Sequence, residues 1–282
     1  MNISFYIGYL EMLSRDGAEK TARWASEHGF SSVEVLETTS NGHPAVIPDA
    51  DAAAAIKKTL DAHGLSTACY SVGTTVFDDP AAEARLRYHA EIAAALGCPY
   101  LHHTLYCTLA KAPSDPPEEA IFASVAEAAV RVAHYAETLG VTCLYEDQGP
   151  YINGIRGFGR FFDEVHRLAP NTGVCGDFGN ILFVDESPTE FLSAFAADIR
   201  HVHVKDYLRK SFSVAPPRGW YRTQGGQYLR DTTVGSGVID IPACMRILAD
   251  AGYDGAYALE LCHPEPFEDG VRDAMEYLHR CI

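Results

Sequence analysis

The chain has 282 residues, 47% of them hydrophobic and 21% charged, with 23 Gly and 15 Pro; this ordinary globular make-up excludes a disordered chain, a collagen or a small disulfide scaffold. Lys plus Arg number 22 against 38 Asp plus Glu, a formal charge of -16, which repels a phosphate backbone and makes nucleic acid a poor partner. Eight cysteines stand singly, at Cys69, Cys98, Cys107, Cys143, Cys175, Cys244, Cys262 and Cys281, with no CxxC pair, and read as buried thiols of a reducing compartment. Met1 to Leu10 is apolar but lacks a basic region and a cleavage site, so neither a signal peptide nor a membrane span is expected and the cytoplasm is the expected location.

In chain order, a strand over Ile3 to Gly8 leads to a helix over about 17–28, and the joint His28-Gly29-Phe30 opens a strand at Ser32 to Val35. The same joint, a helix ending on a glycine that can cap it in the left-handed region, recurs four more times. A helix over about 50–63 stops at Gly64 before the strand Leu65 to Tyr70, and one over about 81–96 stops at Gly97 before Pro99 to His103. A third, over about 117–139, meets Gly140 before Val141 to Glu146. Helices over about 157–168 and 188–197 alternate with strands at Gly173 to Asp177 and Ile199 to Lys205. The long segment Tyr207 to Val238 reads as irregular, after which a helix over about 241–251 ends at Gly252 before the strand Ala256 to Glu260, and a last helix covers about 267–280.

Eight strands alternating with eight helices demand a parallel sheet, and this number of units predicts a closed (β/α)8 TIM barrel, one domain over 1–282 with a long loop at about 207–238. No GxGxxG follows the first strand, which argues against an open dinucleotide-binding sheet.

In such a barrel, polar residues at the C-terminal strand ends on the inward parity carry function. Strand five ends Thr142, Leu144, Glu146 on one parity, strand six Gly173, Cys175, Asp177, strand seven His201, His203, Lys205, and strand eight Ala256, Ala258, Glu260. Glu146, Asp177, His203 and Glu260 are therefore expected to converge. Three carboxylates and an imidazole would repel one another without a cation, and the mixed oxygen and nitrogen set suits one Mn2+, Mg2+, Co2+ or Zn2+ ion. Taken singly, each of the four is as well explained by a solvated strand end or a helix cap.

The stretches Gly29-Phe30-Ser31-Ser32-Val33-Glu34-Val35, Leu144-Tyr145-Glu146, Gly176-Asp177, His201-Val202-His203-Val204-Lys205-Asp206, Gly235-Ser236-Gly237-Val238-Ile239-Asp240 and Gly252-Tyr253-Asp254-Gly255 leading to Glu260 resemble the xylose-isomerase-like barrel superfamily. Within it, the chain is similar to the sugar phosphate isomerases and epimerases, a group that includes ketose 3-epimerases, hydroxypyruvate isomerase and inosose dehydratase. The resemblance runs from the second strand to the eighth. It implies metal ligation by Glu146, Asp177, His203 and Glu260, with Glu146 and Glu260 as acid and base, and proton transfer on a small sugar, sugar acid or polyol ketone through a metal-stabilised enediolate. Dehydration by loss of a β-hydroxyl is the alternative. A noncatalytic sugar-binding barrel is disfavoured, having no use for two metal-bound glutamates.

Two positions depart from the ketose 3-epimerase pattern: Asn180 stands where that family has a histidine, and Ile152 where it has a glutamate. A free ketohexose is thus a poor guess for the substrate. Arg209 falls where an arginine of those epimerases meets substrate, and is otherwise a solvated loop cation. Lys205 pairs with Asp206 or Glu260, or polarises a substrate oxygen. His102 and His103 end strand four, where only one can face the barrel; His103 is the candidate for substrate contact. The segment after strand seven is basic and aromatic, with Arg209, Lys210, Arg218, Trp220, Tyr221, Arg222, Tyr228 and Arg230. It could close over an anionic or polyhydroxylated ligand, or, through Trp220, join copies of the chain in a homo-oligomer.

Overall fold

The computed structural model describes residues 1–38, 46–106, 108, 111–261 and 267–281; Cys107 and Cys262 lie outside these. Strand β1 (Asn2–Phe5) is followed by helices α1 (Tyr9–Asp16) and α2 (Ala18–Glu27), then β2 (Ser32–Thr38), α3 (Ala50–Ala62), β3 (Ser66–Gly73), α4 (Ala82–Ala95), β4 (Tyr100–His103), α5 (Glu118–Glu137) and β5 (Thr142–Glu146). The second half runs α6 (Ile155–Leu168), β6 (Thr172–Asp177), a 3-10 turn (Asn180–Val184), α7 (Pro188–Phe195) and β7 (Ile199–Val204). It continues through β8 (Asp206–Lys210), β9 (Tyr221–Arg222), β10 (Tyr228–Thr232), α8 (Ile241–Asp250), β11 (Ala256–Leu259) and α9 (Phe267–Arg280). Strands β1, β11, β7, β6, β5, β4, β3 and β2 close in that order into a parallel barrel, the (β/α)8 architecture that alternation predicts.

The glycine joints set its rhythm. Gly29, Gly64, Gly97, Gly140 and Gly252 all lie at positive φ, between 68° and 84°, where a side chain would be strained, so each helix stops where its glycine stands and the next strand starts at once. Large apolar residues fill the space between barrel and helices. Phe158 and Phe162 of α6 meet Phe191 and Phe195 of α7 edge to face, and each fully buried ring contributes about 2–3 kcal/mol by area alone. The barrel lumen is different in kind. Its residues are small or polar: Ser4, Cys69, Ser71, Cys175 and Ala258 are wholly buried beside Leu144.

Two register shifts interrupt the ladder, one between Val33 and Glu34 where β2 pairs β3 and one between Val174 and Cys175 where β6 pairs β7. Such bulges re-aim the side chains that follow them, and here Glu34 and Asp177 follow.

Two expectations change. The first strand is shorter, and a separate helix α1 precedes α2. The segment after strand seven is also not irregular: β8, β10 and β9 form a three-stranded antiparallel sheet. The turn Gln224-Gly225-Gly226-Gln227 joins β9 to β10, with Gly226 at φ 88° and the amide of Thr223 bonded to the Gln227 carbonyl. Buried Tyr207 and Leu229 anchor this sheet at the barrel mouth. Among the described residues no helix is long and apolar enough to cross a membrane.

Candidate metal centre

At the C-terminal ends of β5, β6, β7 and β11, donor atoms of Glu146, Asp177, His203 and Glu260 lie within 4.8 Å of one another. The strand register produces this: Asp177 pairs His203 and His203 pairs Ala258, so residues of one parity share a level, and Glu260 is the next inward position past Ala258. His203 presents Nδ1 to the group, 2.8 Å from Glu146 Oε1, 3.5 Å from Glu260 and 3.9 Å from Asp177. Asp177 Oδ1 accepts the amides of Gly179 and Asn180 at 2.7 and 2.6 Å. Its Oδ2 is buried without a hydrogen bond, although the Lys205 ammonium stands 3.0 Å away.

Lys205 joins the cluster. Its Nζ lies 2.9 Å from Glu260 Oε1 and donates to Asn180 Oδ1 at 3.0 Å. Burial opposes its charge, but Asp177 and Glu260 outweigh burial and hold its pKa well above the usual lysine value, so it remains an ammonium. It does not pair with Asp206, whose carboxylate turns outward and accepts the amides of Tyr207, Gly235, Gly237 and Ile239. Gly237 must be glycine there, since a Cβ would come within 2.1 Å of Asp206 Oδ1.

Asn180 is positioned by its backbone bond to Asp177, and its buried Nδ2 has no partner. That amide is a donor with a hydrogen bond still to give. Gly179 permits this turn: a Cβ there would meet Tyr207 at 2.6 Å and Lys205 at 2.8 Å. Ile152 lines a small cavity with His102, His103, Glu146 and Gln148, so an apolar surface borders Glu146 where the epimerase pattern has a carboxylate. Arg209 stands apart from the cluster; its guanidinium donates to Asp185 at 2.8 Å, tying β8 to the end of the 3-10 turn.

Within the histidine pair the structure reverses the expectation. His102 pairs Ser71 and Leu144 across the ladder and so shares their inward parity, with Nε2 3.6 Å from Glu146 Oε2. His103 faces the outer layer, its ring edge on Tyr145 and its Nδ1 3.2 Å from the Thr104 carbonyl. Burial pulls the pKa of both down to about 4, leaving neutral rings.

Four residues that sequence reasoning did not single out also reach this region. Glu34 touches His203 and His201, Tyr6 stacks on His203 at 4.7 Å, and Ser71 bonds Glu34. Asp147, behind Glu146, is wholly buried with neither oxygen bonded; burial first, then Asp177 and Glu146, push its pKa well above the usual aspartate value. Inward parity on β1 and β2 would have pointed to Tyr6 and Glu34.

A family model for the xylose isomerase-like TIM barrel matches residues 22–281. The chain belongs to this family. Sequence comparison with curated proteins finds no match. Among solved structures, the IolI protein with a bound zinc atom superposes with a TM-score of 0.74 at 17% identity, covering 100% of this chain and 98% of that one. The D-allulose 3-epimerase from Methylomonas sp. gives 0.72 at 19% identity, with 100% and 98% covered. The probable 3-DHS dehydratase AsbF from Bacillus anthracis gives 0.70 at 14% identity, with 99% of each chain covered. At these identities the likeness is one of fold, and this xylose isomerase-like barrel must argue its chemistry from its own residues.

Proposed function

We propose that this barrel is a divalent-metal-dependent isomerase or epimerase of a small sugar, sugar acid or polyol ketone. The observation that carries the reading is the convergence of Glu146, Asp177, His203 and Glu260 within 4.8 Å. Ligands held about 2.0–2.2 Å from one ion stand at most about 4.4 Å apart, so the donor set needs only a small contraction to fit. Asp177 Oδ2, buried with no hydrogen bond, supports the fit further, as does the excess of carboxylates over cations around it. Oxygen-rich ligation with one imidazole suits Mn2+, Mg2+, Co2+ or Zn2+.

A bound divalent ion would supply Lewis acidity toward a carbonyl and its neighbouring hydroxyl. The chain's own groups do the rest. One of Glu146 and Glu260 takes the proton from the carbon beside the carbonyl, and the other returns a proton to it or to its neighbour. The Lys205 ammonium, 2.9 Å from Glu260 Oε1, holds that carboxylate in place, while Asn180 Nδ2 donates to a substrate hydroxyl. Buried Ile152 and neutral His102 keep water from Glu146. The fold likeness to a probable dehydratase keeps loss of a β-hydroxyl as the second reading, since it shares the first proton transfer. A polyhydroxylated carbohydrate is the expected partner class in both cases.

The test is solvent-deuterium incorporation by metal-reconstituted protein, together with elemental analysis. One ion per chain is expected, and Glu146→Gln or Glu260→Gln should slow exchange by about 10²–10⁴-fold. Normal exchange in metal-free protein or in both variants would overturn the reading. A product absorbing as an enone, in place of an epimer, would select dehydration.

A further inference from the structure

The carboxylate of Glu34 takes no part in the chemistry proposed above, yet it is wholly buried in the barrel wall. It is satisfied there by three donors. Oε2 accepts from His201 Nε2 at 2.6 Å, and Oε1 accepts from His203 Nε2 at 3.0 Å and from Ser71 Oγ at 2.5 Å. Counting protons fixes the direction of the whole set. Ser71 gives its only proton to Glu34, so it can only accept from His102 Nδ1, 2.9 Å away. Glu34 has no proton to give, so both histidines must carry theirs on Nε2.

For His203 this has a chemical consequence. With Nε2 committed to Glu34, Nδ1 is the ring atom left for a metal ion: it faces Glu146, Glu260 and Asp177 and hydrogen-bonds Glu146 Oε1 at 2.8 Å until an ion takes the place of that proton. Tyr6, stacked at 4.7 Å and 22°, holds the plane of the ring. We propose that Glu34 is a positioning residue that locks His203 as the Nε2–H tautomer and so presents Nδ1 as a ready metal ligand, with Ser71 and His201 holding Glu34 in turn. The inference rests on the metal-site reading given above and adds to it the group that sets the ligand's tautomer and orientation. A carboxylate one shell behind a histidine ligand tunes both its geometry and its basicity.

A glutamine cannot replace Glu34 in this role. Its amide has one accepting oxygen and one donating nitrogen, so one of the two histidine N–H groups would face another donor. The experiment uses Zn2+-loaded protein and two readouts other than turnover: Zn2+ affinity by competition with a chromophoric chelator, and the proton position on His203 by long-range 1H–15N NMR. Wild-type protein should show His203 protonated on Nε2 with Nδ1 shifted by the metal. Glu34→Gln should bind Zn2+ about 10–100-fold more weakly with an unchanged circular dichroism spectrum, and Glu34→Asp, which keeps two accepting oxygens, should recover part of the loss. A His203 that binds Zn2+ through Nε2 in wild-type protein overturns the proposal, and this measurement stands even where Glu34→Gln does not fold. Full Zn2+ affinity in Glu34→Gln, with affinity lost in Asp177→Asn, removes the role of Glu34 and leaves the metal site intact. Zn2+ binding indifferent to both substitutions removes the metal site itself and the present proposal with it.

Discussion

At the scale of single residues, the departures from the ketose 3-epimerase pattern predict a different specificity. Ile152 offers no hydrogen bond beside Glu146, so a substrate hydroxyl buried against it forfeits about 1–3 kcal/mol, or one to two decades in kcat/KM. Free fructose, tagatose and psicose should therefore turn over poorly beside a shorter, oxidised, phosphorylated or cyclic polyol ketone. A panel of kcat/KM values checks this, and a ketohexose equal to the best alternative refutes it. The four clustered residues were legible because each is a charged or imidazole side chain at a strand end, with small or polar parity partners on three of the four strands. Glu34 was passed over because it lies mid-strand in Ser32-Val33-Glu34-Val35 and not at a strand end; its inward parity was there to be read, but its partners, 37 to 169 residues away in sequence, were not. The choice between His102 and His103 turned on one residue of register, and a strand's parity cannot be fixed from four residues when both ends of it are polar.

At the scale of elements, the segment after strand seven shows what periodicity misses. Strand β9 has two residues, Tyr221 and Arg222, too few to display alternation, and the Gly225-Gly226 turn signal stands without flanking apolar runs. By contrast the helix ends were plain, because a glycine at positive φ leaves its mark in the sequence. The link between β8 and α8 depends on Asp206, whose carboxylate gathers four backbone amides from Tyr207 to Ile239. Asp206→Ala would leave those donors, buried at Tyr207 and Ile239, without an acceptor, at a cost of about 2–5 kcal/mol. The expected outcome is a lower denaturation midpoint and new protease cleavage between 233 and 240; an unchanged midpoint would show that the loop is held by its apolar contacts alone.

At the scale of the whole molecule, the barrel combines an apolar outer layer with a lumen of hydroxyls, thiols and histidines, so its stability comes from the helix layer and its chemistry from within. That division also distributes the thiols. Cys69 and Cys175 lie in the lumen cluster with Leu144, Cys98, Cys143 and Cys244 belong to the outer core, and Cys281 is partly exposed. Burial raises the pKa of every one, that of Cys98, Cys143 and Cys244 to about 12. Only a thiolate attacks a disulfide reagent or an alkylating agent, so each buried sulfur stays silent until its surroundings part. The cysteines thus act as position-coded timers of opening. Under peptide-resolved alkylation Cys281 should react first of the six described cysteines. If the outer layer loosens ahead of the lumen, Cys244 should follow well before Cys69 and Cys175, whose rates then measure complete unfolding; a single shared rate for all five buried thiols would mean that barrel and helices come apart in one step.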